Sequence, residues 1–310
     1  MPKLFPSLCL FVISFLVSAA AQAEYTPKAE RVTDNVYAIV GPLGQRSTEN
    51  DGLNANFGLI VTRTGVILID SGASRLGAEK LEKAIRMVTD KPVRWVINTG
   101  GQDHRWLGND YFASRGAEII ALSKTAATQT QYAAQQIQGL ERFLGERLKG
   151  TKPLPAGKTL EGDTSTLELD GETLILQYTH AHYPGDAMVF LSKRGIVFSG
   201  DLVYVDRLMS IMPMSSVNHA QQAFKTMAAL KPAHIIPGHG RVCDLAQAQR
   251  ETGDYYEFLA NVIGAAAKEM EPMQEVLGRN ADLPAFRHLE NYDSLHKANM
   301  NRAFTEFESQ

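Results

Sequence analysis

The chain has 310 residues, with 31 Lys and Arg against 34 Asp and Glu, a formal net charge of −3. That balance gives no electrostatic footprint for nucleic acid. The length suits one large domain, or one domain with an appendage. There are 2 cysteines. Cys9 falls in an apolar N-terminal run, so Cys243 is left alone in the body of the chain and cannot form an intramolecular disulfide. No repeat of a solenoid period and no low-complexity tract is visible.

In chain order, Lys3 precedes an apolar stretch from Leu8 to Leu16, and Ala21-Gln22-Ala23 follows as an A-x-A cleavage pattern. This predicts a signal peptide over residues 1–23, export to the periplasm and no stable membrane anchor after cleavage. Residues 30–72 read as β structure. Val36 to Val40 is one short run, and Phe57–Thr62 and Val66–Ile69 are two more about a turn at Arg63-Thr-Gly65. The segment between, Gly41 to Asn56, is polar and rich in Gly and Asn, which reads as a mobile loop. Arg75 to Asp90 has helical apolar spacing, and Val93 to Ile97 is the next strand. Helices are expected at Tyr111–Arg115 and Lys124–Leu148. A hairpin is expected about Asp170-Gly171 within Thr159–Tyr178. Ala187–Leu191 and Gly195–Phe198 read as strands, Asn218–Leu230 as a helix, and Ala233–Ile236 as a short strand. From Asp244 onward the pattern is helical, with a break near Gly278 to Pro284. Strands alternating with helices, with hairpins among them, imply two sheets with helices outside, an α/β layered architecture.

Four loops each follow a predicted strand and carry His or Asp: Asp103-His104, His182-Tyr-Pro-Gly-Asp186, Ser199-Gly-Asp201 and Gly238-His239-Gly240. Imidazole and carboxylate at strand ends are what a zinc site requires. Glycines beside them let the backbone crowd close to a metal. One Gly-His-Gly alone is most often a turn. The four together, in this order, are far more specific.

In that order the chain resembles the metallo-β-lactamase superfamily over Val32 to Arg241. The carriers are Asp70-Ser-Gly72 at a strand end, the loop from Asn98 to Asn109, His182 to Asp186, Asp201 and His239. The resemblance implies an αββα sandwich over residues 24–245 and a metal site at one edge of the two sheets. Residues 246–310 form a C-terminal helical extension packed on it. The whole chain also resembles a periplasmic branch of that superfamily, the SoxH-like or quinoprotein relay system zinc metallohydrolases. The family loop reads Asn-Thr-His-x-His-x-Asp-His. Here Thr99 to Gln102 is Thr-Gly-Gly-Gln, so the two closely spaced histidines of the first metal site are missing.

Read from the Asp-His pair, Asp103, His104 and His239 match the terminal ligands of the second site and Asp201 the bridging carboxylate. His182 is the remnant of the first. Anchored instead on Asn98-Thr99, His104 takes the family's Asp position and Arg105 its last His. Either register predicts one zinc, because Gly offers no ligand and an amide is a poor one. His180 would rescue the first site only through a bend, since extended residues two apart sit roughly 6–7 Å apart.

The expected activity is a zinc-dependent hydrolase acting on a small acyl, thioester-like molecule. Asp103 and His182 stand at the reacting centre, His182 either as proton acceptor or merely as an orienting group. Asp70 is expected to orient loop amides, as its family match is not a ligand, and Asp186 to cap a turn. Arg105 and Trp106 are offered either as substrate contacts or, for Trp106, as core. The apolar run Leu208 to Met214 is read as core or pocket wall, and Gln102 as a donor where a ligand is absent. β-Lactam hydrolysis is the alternative enzyme reading. A non-catalytic metal- or ligand-binding accessory of a periplasmic oxidation system is the alternative outside enzymes. The helical tail offers two roles, closing over the site or making a homodimer contact.

Overall fold

A computed structural model describes residues 25–309. The expected signal peptide lies outside the described residues, and among them no helix is long and apolar enough to cross a membrane.

Seven strands form the first sheet: β1 (Ala29–Thr33), β2 (Val36–Ile39), β3 (Phe57–Val61), β4 (Val66–Ile69), β5 (Val93–Ile97), β6 (Glu118–Leu122) and β7 (Lys158–Leu160). They lie side by side in chain order, antiparallel from β1 to β4 and parallel from β4 to β7. The second sheet holds β8 (Thr164–Leu169), β9 (Glu172–Tyr178), β10 (Ala187–Leu191), β11 (Ile196–Phe198) and β12 (His234–Ile236), in the order β12-β11-β10-β9-β8.

Side-chain alternation assigns each strand two apolar faces. On β4, Ile67 and Ile69 enter a cluster shared with Leu174, Leu176, Val189 and Phe198 of the other sheet. Val66 and Leu68 face the opposite way, into a cluster with Leu81 and Ile85 of the helix Arg75–Arg86. On β10 and β11, Met188 and Val197 turn outward to Phe224 of the helix Val217–Ala229 and to Tyr255, Tyr256 and Phe304 of the tail. Strands that are apolar on both faces are buried on both. The result is the αββα sandwich, helices outside two facing sheets, followed by helices at the C-terminus.

That tail runs from Leu245 to Lys268, through π-helical stretches at Gln249–Gly253 and Leu259–Ile263, and continues in Met273–Arg279 and Tyr292–Glu308. Its apolar face completes the outer cluster on the second sheet. Two polar latches fix it. Glu306 accepts from Ser216 Oγ and from the amides of Val217 and Asn218, at the start of the helix they open. Asn299, almost fully buried, accepts from the Ile211 amide at 2.7 Å and donates to the Met209 carbonyl at 2.8 Å. The tail therefore shapes the segment Met209–Met212.

Differences from the sequence-based boundaries sit at element ends. The long helix stops at Leu144, where Gly145 has a φ of 48°, and a 3-10 turn to Leu148 follows. The half-exposed β1 falls at the start of the expected β region, while β7 is a separate strand of the first sheet where Thr159–Tyr178 is expected to hold only the two strands of a hairpin.

Replacing Asn299 by Leu strips both hydrogen bonds from a buried backbone. The expected cost is about 1–3 kcal/mol, read by urea unfolding. Faster amide exchange should appear at Met209–Met212.

Candidate metal centre

Four loops from strand ends converge at one edge of the sandwich. After β5 the chain passes through Asn98-Thr-Gly-Gly-Gln102 into a single helical turn, Asp103–Trp106. After β9 come His180 to Asp186, after β11 Ser199 to Leu202, and after β12 Pro237 to Gly240. Close packing explains the glycines. A Cβ on Gly238 would lie 2.0 Å from the Gly200 carbonyl oxygen, so only glycine lets these two ligand loops touch.

His104, Asp201 and His239 meet there, their ligand atoms all within 4.8 Å of one another and all three side chains buried. His104 Nε2 lies 3.0 Å from Asp201 Oδ2, and His239 Nε2 lies 3.3 Å from Asp201 Oδ1. Tyr204 stacks on His239, ring centroids 4.9 Å apart, and its hydroxyl donates to Asp201 Oδ1 at 3.2 Å.

The donor set fits a zinc ion. His239 Nδ1 lies 2.8 Å from the Asn54 carbonyl, which only accepts. The ring proton therefore sits on Nδ1, and Nε2 presents a lone pair toward a carboxylate. Burial holds His239 down to about 3, Asp201 pulling the other way, so the ring is neutral at ordinary pH. A lone pair facing a carboxylate calls for a cation between them. At zinc–ligand distances of about 2.0–2.1 Å, the edge of a tetrahedron is roughly 3.3 Å, the scale of these separations. His104 Nδ1 lies 3.1 Å from Asp103 Oδ1 and 2.6 Å from Arg46 Nη2, so the far nitrogen of the ring faces that ion pair.

Among the described residues Asp103 is outside the ligand group: its Oδ1 is engaged by Arg46 at 2.6 Å and by the ring and amide of His104. Against the cost of burial, Arg46 and then His104 hold its carboxyl below the ordinary range. The space beside Gly100 is filled. A Cβ on Gly100 would meet Asp186 Oδ1 at 2.9 Å and Arg105 Cγ at 3.2 Å.

Arg105 does not reach the pocket as a substrate contact. It is 1% exposed and bridges Asp201, at 2.5 Å, and Asp70, at 3.1 Å. Asp70, at a strained φ of 64°, also accepts from the Thr99 amide at 2.7 Å and hydroxyl at 2.6 Å. Burial pushes Asp70 up, with Arg105 and Thr99 opposing. For Asp201, burial is outweighed by Arg105 and His104, which hold it well below the usual carboxylate range. Trp106 is fully buried, its Nε1 donating to Gln136 Oε1 and to the Gly101 carbonyl.

His182 lines the pocket over the trio without joining the group. Its loop is set by Asp186, which accepts from the amides of His182 and Tyr183. Burial pushes His182 down to about 4, with Asp201 opposing. His180 goes elsewhere, stacked on His219 with centroids 4.8 Å apart. The pocket is small, about 130 Å³, and its wall includes Gln102, Ser210, Met212 and, from the tail, Leu295. Of the Leu208 to Met214 run, Leu208, Met209 and Ile211 are core, while Ser210 and Met212 face the pocket. Arg46, Arg207 and Tyr204 also line it, three residues that no strand-end motif marks.

The sandwich and the trio together define a hydrolase-like fold with a metal centre at one sheet edge. The model of the metallo-β-lactamase superfamily matches residues 50–239, and the chain belongs to that superfamily. A curated relative, metallo-β-lactamase IND-1 of Chryseobacterium indologenes, is 24% identical over 245 residues, covering 75% of this chain and 91% of the relative. Among solved structures, metallo-β-lactamase DIM-1 superposes with a TM-score of 0.58 at 20% identity, over 75% of this chain and 98% of that one. The inverting sec-alkylsulfatase Pisa1 of Pseudomonas sp. superposes with a TM-score of 0.72 at 14% identity, over 91% of this chain and 50% of that one.

Two outcomes follow. Arg105→Met leaves Asp70 and Asp201 buried without their cation and should cost about 3–5 kcal/mol in denaturant unfolding. The second concerns pH. His182 titrates near 6.5 when unfolded and near 4 when folded, so in that window the unfolded chain binds the extra proton. Stability from a neutral His182 is full above about pH 6.5 and lost as pH falls toward 4. Other carboxyls titrate in the same range, so the contrast with His182→Asn isolates it. Measured by urea unfolding of metal-free protein, wild type should lose stability relative to the variant between pH 7 and pH 5.

Proposed function

We propose that this chain is an exported, metal-dependent hydrolase that holds a single zinc and acts on a small acyl, thioester-like compound, as a member of the SoxH-like branch. The carrying observation is the buried His104–Asp201–His239 trio, whose two histidines line a small pocket together with His182; the absence of histidine from Thr99 to Gln102 supports a single zinc. Export rests on the Lys3, Leu8 to Leu16 and Ala21-Gln22-Ala23 pattern.

A zinc bound by the trio would supply Lewis acidity and a water acidified toward about pKa 7. The chain's own residues do the rest. His182, neutral at working pH, presents a ring nitrogen at the pocket wall that can orient a reacting group by hydrogen bond. Gln102 donates toward the pocket from the former ligand position; its Oε1 has no partner, and its Nε2 reaches only Met212 Sδ at 3.9 Å. Tyr204 holds Asp201 and His239 in register through its hydroxyl and its ring. Met212 and Leu295 narrow the entrance and limit water. Ester and thioester substrates suit a single centre, whereas phosphodiester cleavage generally draws on two metals clamping the phosphate.

Elemental analysis of purified protein should give about one zinc per chain. His239→Ala should lose that zinc and at least about 100-fold in kcat/KM on a thioester panel. Two zincs per chain would overturn the single-site reading. Zinc without turnover of thioesters, β-lactams or sec-alkyl sulfates would favour an accessory binding protein.

A further inference from the structure

One nitrogen of Arg46 is shared by two groups of different chemistry. Nη2 lies 2.6 Å from Asp103 Oδ1 and 2.6 Å from His104 Nδ1, and Asp103 Oδ1 lies 3.1 Å from that same ring nitrogen. A guanidinium only donates and a carboxylate only accepts. His104 Nδ1, placed between them, therefore has two settings. Bare, it accepts from Arg46; protonated, it donates to Asp103. The contact is shielded: His104 is 2% exposed, and the side chains of Arg46 and Asp103 are 18% and 13% exposed. Arg46 Nε is buried without a partner, so Asp103 and His104 are the groups that hold this side chain.

The other side of the ring makes the two settings unequal. His104 Nε2 lies 3.0 Å from Asp201 Oδ2. A neutral imidazole carries one ring proton, so an Nδ1 that accepts from Arg46 puts the proton on Nε2, which then donates to Asp201. A metal held by the trio needs the reverse, a lone pair on Nε2 and the proton on Nδ1. In that setting Arg46 Nη2 and His104 Nδ1 are two donors facing each other, so the arginine gives way and Asp103 gains a bond. At His239 the choice is already made, because the Asn54 carbonyl takes the Nδ1 proton.

We propose that Arg46 is a positioning residue that competes with the metal for His104: it holds the ring in the setting that does not bind, and Asp103 holds it in the setting that does. The inference rests on the trio as a metal centre and on no particular substrate. The competition lowers metal affinity by the worth of about one hydrogen bond to a charged group, a factor of about ten or more. It is also reciprocal: zinc in the trio weakens the grip of Arg46 on His104 by the same factor.

Opposite signs from the two ends of one ion pair are the signature. Zinc affinity is measured on the full chain, stripped of metal and titrated against a chromophoric chelator. Arg46→Met should bind zinc about tenfold more tightly than wild type, and Asp103→Asn at least about tenfold more weakly. A pair that merely held the fold would be broken by either change, and both would move affinity the same way. The ring itself supplies the second readout. With nitrogen-15-labelled histidines, and His104 assigned through His104→Gln, stripped wild type should carry the ring proton on Nε2. Arg46→Met and zinc-loaded wild type should carry it on Nδ1. Unchanged or weaker zinc binding by Arg46→Met overturns the proposal, as does a ring proton already on Nδ1 in stripped wild type. Tighter zinc binding by Arg46→Met with the proton still on Nε2 is a charge effect alone and overturns it too. Each of these outcomes leaves the metal centre standing, whereas wild type that takes up no zinc overturns the metal centre itself.

Discussion

The bridge from Asp70 through Arg105 to Asp201 is the interaction on which this site depends. It joins the end of β4 in one sheet to the loop after β11 in the other. Arg105 also donates to the Asn56 and Gly238 carbonyls, reaching the chain before β3 and the loop after β12. One guanidinium thus cross-links the strand ends that carry the metal trio. Its burial is tolerable because carboxylates and carbonyls surround it. The same pairing keeps Asp201 ionised in a site where burial alone would protonate it. The cation that stabilises the fold thereby maintains a metal ligand in its binding form.

The close packing of the loop from Thr99 to Gln102 is part of this arrangement. The Arg105 stem and the Asp186 carboxylate crowd Gly100, and Thr128 crowds Gly101, whose Cβ would sit 2.4 Å from Thr128 Cγ2. Gln129 and Gln136, on the long helix Ser123–Leu144, reach across to the carbonyls of Gly100 and Gly101. The loop is tied down by side-chain amides. A histidine at Gly100 would place a side chain where atoms already stand.

Most of the sandwich was legible because its strands are short apolar runs bounded by Gly and Asp, and its helices have clear periodicity. The strand-end Asp70, Asp201 and His239 were legible for the same reason, since each punctuates a strand. The loop from Asn98 was harder. Its register turns on one residue, and sequence spacing gave Asp103 and His104 equal claim. What separates them is Arg46, which comes from the Gly41 to Asn56 segment and takes hold of Asp103. That segment reads as a mobile loop because it is polar and Gly-rich. In the fold its second half, from Asn50 to Asn56, is buried, pinned by Asn50 and by Asn56, whose side-chain amide donates to the Pro237 and Gly240 carbonyls. Long-range pairs of this kind leave no periodic trace in a sequence.

Arg207 was invisible for a related reason. It belongs to a stretch, Leu202 to Met214, whose neighbours are apolar, and its position depends on the tail. The amide and carbonyl flanking Ser210 are held by Asn299, and Arg207 itself pairs by backbone bridge with Glu290. A C-terminal appendage that merely covered the second sheet would need only its apolar face. This one also spends buried polar groups on the pocket wall and places Leu295 at the entrance. Buried, satisfied polar contacts specify a geometry more sharply than apolar packing does. The tail is therefore a part of the pocket wall: Asn299 fixes the backbone on either side of Ser210, and Leu295 joins the lining.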